Sequence, residues 1–501
     1  MLRSVIFLGP LGTQIMSILP QLLLLTLSSS ALTRSSLEVN APVQDTADSY
    51  EATRERELAG LVTRLGEHAE WCKKKKLWLQ RALALEALLE FTPDNLEVRR
   101  ALGHKKQRDG SWTPKKGPRP VDRSKKDLEE ALQRRVELSG PFVEALKALY
   151  MKGGPDLTIQ VQGKIIGDVL AVDPEDVWAH AERYEVKFEG EWVMMEVANA
   201  ASGREELRAL EQKLREGLKP AKISLLTTLE DELELKFKPP LQGGSVRVLG
   251  TVEEEELKQC SDNLRVAKEL LQVYTGERCV YTDGFTYFLL KSEAEKATFL
   301  KSHPKVEEAD RAFYQTLESV TLTGAQHFGS WSDNAPRRLD SACRQGISNL
   351  LYHGHQITGE QGWAFEGVGL YFTHVVARTH LTWFVSPSRY MSAKEDAAFR
   401  EKLSRSSVNW LDEARALMKE DKLPKFQTVV GRGLNRLSTE DLLLCNAAIA
   451  YFIEGRPGVL PKILKKLGRG RTEHEVFLEE LGMDLRQFDK RLRDWLVATA
   501  D

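Results

Sequence analysis

The segment from Ser341 to Phe372 constrains the fold of this chain more than any other stretch. It reads as a helix, a short loop and a second helix that begins near Gln361. Spacings of seven and eight residues in the second half place its aromatic side chains on one helix face. These aromatic residues are Trp363, Phe365, Tyr371 and Phe372. We therefore predict that they belong to a buried core, with a contact to a bound molecule considered only for Trp363.

The polar residues of this segment have the spacing of a zinc-peptidase active site. In such a site the first helix carries His-Glu-x-x-His, in which both His bind the metal and the Glu is the general base, and a later Glu completes the ligand set. The corresponding positions here are Arg344, Gln345 and Ser348, and only Glu366 is retained. No His-Glu-x-x-His occurs anywhere in the chain. We predict that the metal chemistry is lost and expect no cofactor.

The C-terminal half resembles the peptidase MA-like domain, a gluzincin-type fold. The resemblance rests on three blocks: Glu255–Glu277 with Thr286–Glu295, the degenerate motif above, and Leu437–Leu496 with its closing Leu-Gly-Met and Trp-Leu sequences. It covers about residues 251–501 and implies a peptidase-like domain with a small sheet and a helical subdomain. The altered motif implies a non-catalytic protein that binds a protein or peptide in the retained groove.

A buried carboxylate needs a positive partner once the metal is absent, because an unpaired buried charge is costly. Arg344 stands where a ligand His would stand and offers a planar fork of donors. We therefore predict an ion pair between Arg344 and Glu366 at the position of the lost metal. We also expect the hydroxyl of Ser348 to bond back to the main chain of its own helix.

A zinc-dependent hydrolase with rearranged ligands is the alternative, and His353, His355 and Glu366 would be its ligands. Two His at this spacing diverge on a helix, so the set requires the helix to end near Tyr352. The other candidate ligands nearby are Glu360, His374 and His380.

The N-terminus reads as a secretory signal over residues 1–31, followed by a polar linker over 32–50. Export to the periplasm or cell envelope is therefore expected, with membrane attachment only if this segment is uncleaved. The five Cys are scattered, which predicts isolated buried thiols, although Cys260 and Cys279 remain a candidate disulfide pair.

Residues 51–120 and 121–202 read as two copies of one tetratricopeptide-like helical module. In both copies a helix end is followed by a Pro, a capped helix and a Gly turn with a Trp. The Pro and the Trp are 19 residues apart in the first copy (93 to 112) and 18 in the second (174 to 192). We predict a small hairpin at each Trp, and Thr92 as the cap of the helix that follows it.

The region from Arg99 to Lys126 is strongly basic, although the whole chain has a net charge of only −2. The balanced total charge argues against nucleic acid as a partner. An envelope attachment module that binds an anionic polymer or lipid is a third hypothesis, and the prolines of this region favour a solvated linker instead.

The predicted fold class is α+β and mainly helical, with helical-pair modules and small hairpins before the peptidase-like domain. Residues 203–250 are predicted to connect the two parts with a charged helix and three strands. The strands are expected at Ile223–Leu226, Leu233–Phe237 and Val246–Leu249.

Overall fold

A computed structural model describes residues 43–500 apart from 115–116, 118–119, 123, 155–156, 277–278, 318, 323–325 and 384–390. The protein is α+β and mostly helical, with 64% helix and 8% strand, which confirms the predicted fold class. The chain divides into two compact units, and the second begins at Glu175. The predicted signal, residues 1–31, lies outside the described residues.

The first unit is helical with one small hairpin. Its elements are α1 Val43–Lys74, α2 Trp78–Phe91, α3 Leu96–Ala101, β1 Lys105–Lys106, β2 Trp112–Thr113, α4 Lys125–Gly153 and α5 Ile159–Val172. Helix α1 already begins at Val43, so part of the predicted linker is helical. Asp168 of α5 accepts hydrogen bonds from Tyr50 and Arg54 of α1, which ties these two helices together.

The two predicted copies of the module contain the same local elements. In the first, α2 and α3 precede the hairpin of β1 and β2, whose turn contains Gly110 at φ +87°. In the second, α5 and α6 (Val177–Glu182) precede the hairpin of β3 (Glu185–Phe188) and β4 (Glu191–Met194), with Gly190 at φ +92°.

The cap of α3 differs from the prediction. Asn95, and not Thr92, accepts the capping bond from the backbone N–H of Val98. Thr92 instead ends α2, because its hydroxyl donates to the carbonyl of Leu88.

The basic region is partly folded into the first hairpin. Lys105 and Lys106 form β1, and the guanidinium of Arg99 lies 5.2 Å from the ring centroid of Trp112. Lys115, Lys116, Arg119 and Arg123 lie outside the described residues. At least this part of the region is therefore not an extended linker, and polymer binding remains a prediction.

The second unit contains a six-stranded mixed sheet of order β5-β6-β7-β8-β10-β9. Its strands are β5 Lys222–Ile223, β6 Leu241–Gly243, β7 Val246–Gly250, β8 Thr286–Leu290, β9 Ser319–Leu322 and β10 His327–Trp331. The central pairs β7–β8 and β8–β10 are parallel, whereas β9 is an antiparallel edge strand. The predicted strand at Leu233–Phe237 is wrong, and the helical turn α8 (Thr228–Asp231) precedes this irregular segment.

Helices α7 and α9–α20 supply most of the second unit. Their bounds are α7 Met195–Gly217, α9 Glu254–Thr275, α10 Glu293–Ser302, α11 Glu308–Thr316, α12 Ala335–His355, α13 Gly362–Ala377, α14 Ala393–Leu403, α15 Trp410–Lys419, α16 Phe426–Val429, α17 Thr439–Ala450, α18 Leu460–Leu467, α19 Glu473–Leu481 and α20 Leu485–Ala498. A 3-10 turn, Leu434–Arg436, precedes α17, and a π-helical turn, Tyr451–Gly455, follows it. Helix α9 lies at the position of the block Glu255–Glu277, and α17 and α18 lie within Leu437–Leu496.

The core of the second unit forms around α13 and α17. A Cβ at Gly367 would lie 2.8 Å from the carbonyl oxygen of Cys445, so the glycine lets these helices pack closely. All five Cys are buried and free, which excludes the disulfide between Cys260 and Cys279. Across the described residues, no helix is both long and apolar enough to span a bilayer.

Candidate functional site

Helices α12 and α13 bring Arg344 and Glu366 together in the core. Nη2 of Arg344 donates to Oε1 of Glu366 at 2.6 Å, which confirms the predicted ion pair. The two residues are 1% and 0% exposed, so both charges are withdrawn from water. Each carboxylate or guanidinium would be costly to bury alone, and the pairing offsets part of this cost.

Gly369 makes the space for the guanidinium. It lies one helical turn after Glu366 on α13, and a Cβ at this position would be 1.2 Å from Nη1 of Arg344. Any side chain at this position would therefore displace the guanidinium. The sequence predicted close packing at Gly369, but the neighbour is the side chain of Arg344 and not a helix backbone.

The electrostatics of the pair are dominated by burial. Burial raises the pKa of Glu366 above its ordinary value, and the neighbouring Arg344 opposes this rise. A low-dielectric site disfavours the charged carboxylate, whereas a nearby guanidinium favours it. The pair is closed off from solvent and satisfies its charges only in part, because Nε and Nη1 of Arg344 and Oε2 of Glu366 have no hydrogen-bond partner among the described residues.

The side chains at the other two motif positions, Gln345 and Ser348, make hydrogen bonds to the main chain. Nε2 of Gln345 donates to the carbonyl of Val320 on the edge strand β9 at 3.4 Å. The hydroxyl of Ser348 donates to the carbonyl of Arg344 at 2.8 Å, as predicted. An amide at position 345 cannot act as a general base, and a guanidinium at position 344 offers no lone pair to a metal. The motif residues do not fit a zinc ion.

The alternative zinc ligands are not brought together. Helix α12 continues to His355, so the helix does not end near Tyr352. His353 is exposed on that last turn, whereas Nε2 of His355 lies 3.0 Å from the hydroxyl of Thr275. Glu366 is engaged by Arg344. Among the described residues, no group of three His, Cys, Asp or Glu side chains is arranged to hold a metal ion.

The three other candidate ligands do not converge on one point either. Glu360 is exposed in the loop between α12 and α13. The rings of His374 and His380 stack at 4.2 Å, and His380 stacks on Trp410 at 4.2 Å. Burial lowers the pKa of His374 to about 4, so its imidazole is neutral near pH 7.

A groove of about 1270 Å³ passes over the degenerate motif. It is bounded by the edge strand β9 and by the faces of α12 and α13 that carry Gln345, Ser348 and Phe365. Trp363 is fully buried against Phe426 and Phe477 and does not reach the groove. Of the two neighbouring aromatic residues at the start of α13, Phe365 lines the groove and Trp363 belongs to the core.

Comparison of the chain with protein-family models, curated proteins and solved structures gives no match. The resemblance to peptidase MA-like domains therefore rests on the order of elements and on the spacing of the motif.

Two features of this site were not predicted from the sequence: the room that Gly369 leaves for the side chain of Arg344, and the position of strand β9 beside the groove. The Glu-x-x-Gly spacing from Glu366 to Gly369 is a usable signal, because residues three apart on a helix are neighbours. The position of β9 beside the groove has no such signal in the sequence. The strand has only four residues, Ser319–Leu322, and its place at the edge depends on the whole sheet.

Proposed function

We propose that the second unit is a non-catalytic, peptidase-like domain of an exported protein, and that it binds an extended peptide in the groove beside β9. The observation that carries the proposal is the groove itself, which lies over Gln345 and Ser348 and is bordered by the edge strand β9. The loss of the base and of the ligand histidines favours binding without hydrolysis.

The edge strand is suited to pairing with an added strand. Val320 and Leu322 point into the core of the sheet, whereas Ser319 and Thr321 face the groove. Strand β9 pairs with β10 on one side, and no other described strand lies on its free side. An extended peptide can therefore add to this edge through main-chain hydrogen bonds, with alternate side chains directed into the groove.

The groove wall supplies the apolar contacts that give such binding its selectivity. Phe328, Phe365, Leu381 and Trp383 line it together with polar groups such as Asn349 and Thr358. Ligand sites commonly combine mostly apolar walls with a few polar groups that fix orientation. We therefore expect peptides with bulky apolar residues at alternating positions to bind best.

A peptide-display selection followed by fluorescence anisotropy on the selected peptides tests the proposal. Ser348→Phe should fill the groove and weaken binding at least tenfold. Thr298→Phe is the matched control, because Thr298 also back-bonds to its own helix but lies on α10 outside the groove. Selection of no peptide, or equal affinities for the two variants, would refute the proposal.

A second experiment tests the peptidase-like layout separately. The 2.6 Å contact shows that positions 344 and 366 face each other, and position 348 lies one turn further along α12. Restoring the motif with R344H, Q345E and S348H should therefore create a site for one zinc ion that uses Glu366. Elemental analysis should find zinc in this variant and not after the further change E366Q. Zinc binding that does not depend on Glu366 would contradict the layout.

A further inference from the structure

A second, smaller cavity of about 300 Å³ lies at the C-terminal end of α13, away from the groove residues. Helices α7, α13, α15 and α17 and the π-helical turn Tyr451–Gly455 all contribute to its wall. A π-helical turn is rare and is often found at functional sites. The cavity has the size of a small-molecule site and is too small for a folded partner.

Arginine side chains dominate the charge of this cavity. Arg204 and Arg208 of α7 and Arg378 at the end of α13 line it. Nε of Arg204 lies 3.3 Å from Glu454, and Arg378 pairs with Glu211 at 2.8 Å. Arg208 is exposed. With Glu211 and Glu454 both ionised, the three guanidinium groups still leave one net positive charge in this set.

Glu454 is the acidic residue at the base of the cavity, and it is 4% exposed. The hydroxyl of Tyr371 donates to its Oε1 at 3.0 Å. Burial raises the pKa of this carboxyl to about 7, opposed by Arg204, the Tyr371 hydroxyl, Arg208 and Arg415. Near neutral pH a large fraction of Glu454 is therefore uncharged, which removes its repulsion of an anion.

The start of α15 adds neutral donors to the arginines. Ser406, Ser407 and the cap residue Asn409 line the cavity just before this ten-residue helix begins at Trp410. The first backbone N–H groups of a helix have no partner within the helix, and the helix dipole favours negative charge there. Oδ1 of Asn409 caps one of them, the N–H of Leu411, at 3.0 Å. The arginines and this helix end therefore face the same small volume.

We propose that this cavity binds a small solute through a tetrahedral oxyanion group, such as a phosphate or a sulfate ester. Arginine forks, serine hydroxyls and a helix N-terminus are the groups that bind such oxyanions in proteins. Donors outnumber acceptors on the wall, which disfavours a cationic ligand. The site is distinct from the peptide groove, and this inference does not depend on the proposed function.

Isothermal titration calorimetry of the full chain with inorganic phosphate at constant ionic strength tests the proposal. Saturable binding of phosphate and of sulfate is expected, and acetate should bind more weakly because a planar carboxylate makes fewer contacts. Arg208→Gln and Arg378→Gln should each weaken phosphate binding about tenfold, since each removes a charge-assisted contact. Arg208 and Arg378 are both exposed, so the variants should fold, which far-UV circular dichroism checks.

The matched control is Arg486→Gln, which removes an exposed arginine from the first turn of α20 outside the cavity. It should bind phosphate as the unaltered protein does. Absence of saturable binding, or an equal loss of affinity in Arg486→Gln and Arg208→Gln, would overturn the proposal. Acetate binding as tight as phosphate binding would also overturn it, because the site would then not select a tetrahedral group.

Discussion

Replacing Arg344 with Met should destabilise the second unit strongly, because it leaves the carboxylate of Glu366 buried without a partner. Both residues are at most 1% exposed, and one 2.6 Å hydrogen bond joins them. Breaking one side of a buried pair costs about 3–5 kcal/mol. The double variant R344M/E366L removes both charges and should lie within about 1 kcal/mol of the unaltered protein.

The measurement should report on this unit and not on the first. Hydrogen exchange is measured in urea, with mass spectrometry of peptides from α12 and α13. It gives the free energy of opening at the pair itself. The exposed pair Arg405–Glu401 has a similar 3.0 Å separation but side chains 63% and 74% exposed, so R405M is the matched control. It should cost less than about 1 kcal/mol.

The pH dependence follows from the direction of the pKa shift. Burial raises the folded-state pKa of Glu366 above the model-peptide value of 4.5, and loss of Arg344 should raise it further. An acid with a raised folded pKa stabilises the protein at low pH, and this stabilisation is lost as pH rises from the unfolded pKa through the folded pKa. The defect of R344M should therefore grow above pH 4.5. A cost below about 1 kcal/mol at pH 7, or a double variant as unstable as the sum of its single variants, would refute the reasoning.

Three further predictions concern Gly369, Glu454 and the zinc content of the protein. Gly369→Ala should lower the free energy of unfolding by several kcal/mol, and it should be far less harmful in the R344M background. The control is Gly167→Ala, where no atom lies within 4 Å of the new Cβ. It should stabilise the protein by about 0.5–1 kcal/mol in thermal unfolding. The carboxyl of Glu454, with a pKa of about 7, should lower stability by roughly 3 kcal/mol as pH rises from 4.5 through 7, and E454Q should lack this slope in urea titrations at several pH values. Purified protein dialysed without chelator should contain far less than one zinc per chain by elemental mass spectrometry, and stoichiometric zinc that is lost in H353A would support the rearranged hydrolase.

Local patterns predicted the helices around the site well. Helix α13 begins at Gly362, next to the predicted start near Gln361, and the hydroxyl of Ser348 bonds back to its own helix as expected. The ion pair followed from charge compensation, because a retained Glu366 needs a positive partner once the metal ligands are gone. These predictions depend on neighbouring residues and on the need to pair a buried charge, and a single sequence displays both.

The failures arose where burial or contact depends on distant residues. Leu233, Leu235 and Phe237 alternate like a strand and do pack on a small core beside the sheet, but the segment does not join the ladder. Alternating burial is compatible with an irregular segment, so the pattern alone could not distinguish the two. The arginine cavity joins positions from Arg204 to Glu454, and no local pattern brings these together.

If the second unit is the proposed peptidase-like domain, the Arg344–Glu366 pair takes the place of a zinc site between α12 and α13. A zinc ion in such a site joins two helices through its ligands, and here one hydrogen-bonded pair joins the same positions of α12 and α13. Because apolar residues of similar volume would serve stability about as well, the pair is better explained by the orientation that it imposes than by added stability. A Cβ at Gly369 would lie 1.2 Å from Nη1 of Arg344, so this glycine leaves the room that the guanidinium occupies between the two helices. Gln345 and Ser348 lie on the same helix as Arg344 and line the groove beside the edge strand, so the pair also holds this wall of the groove in place.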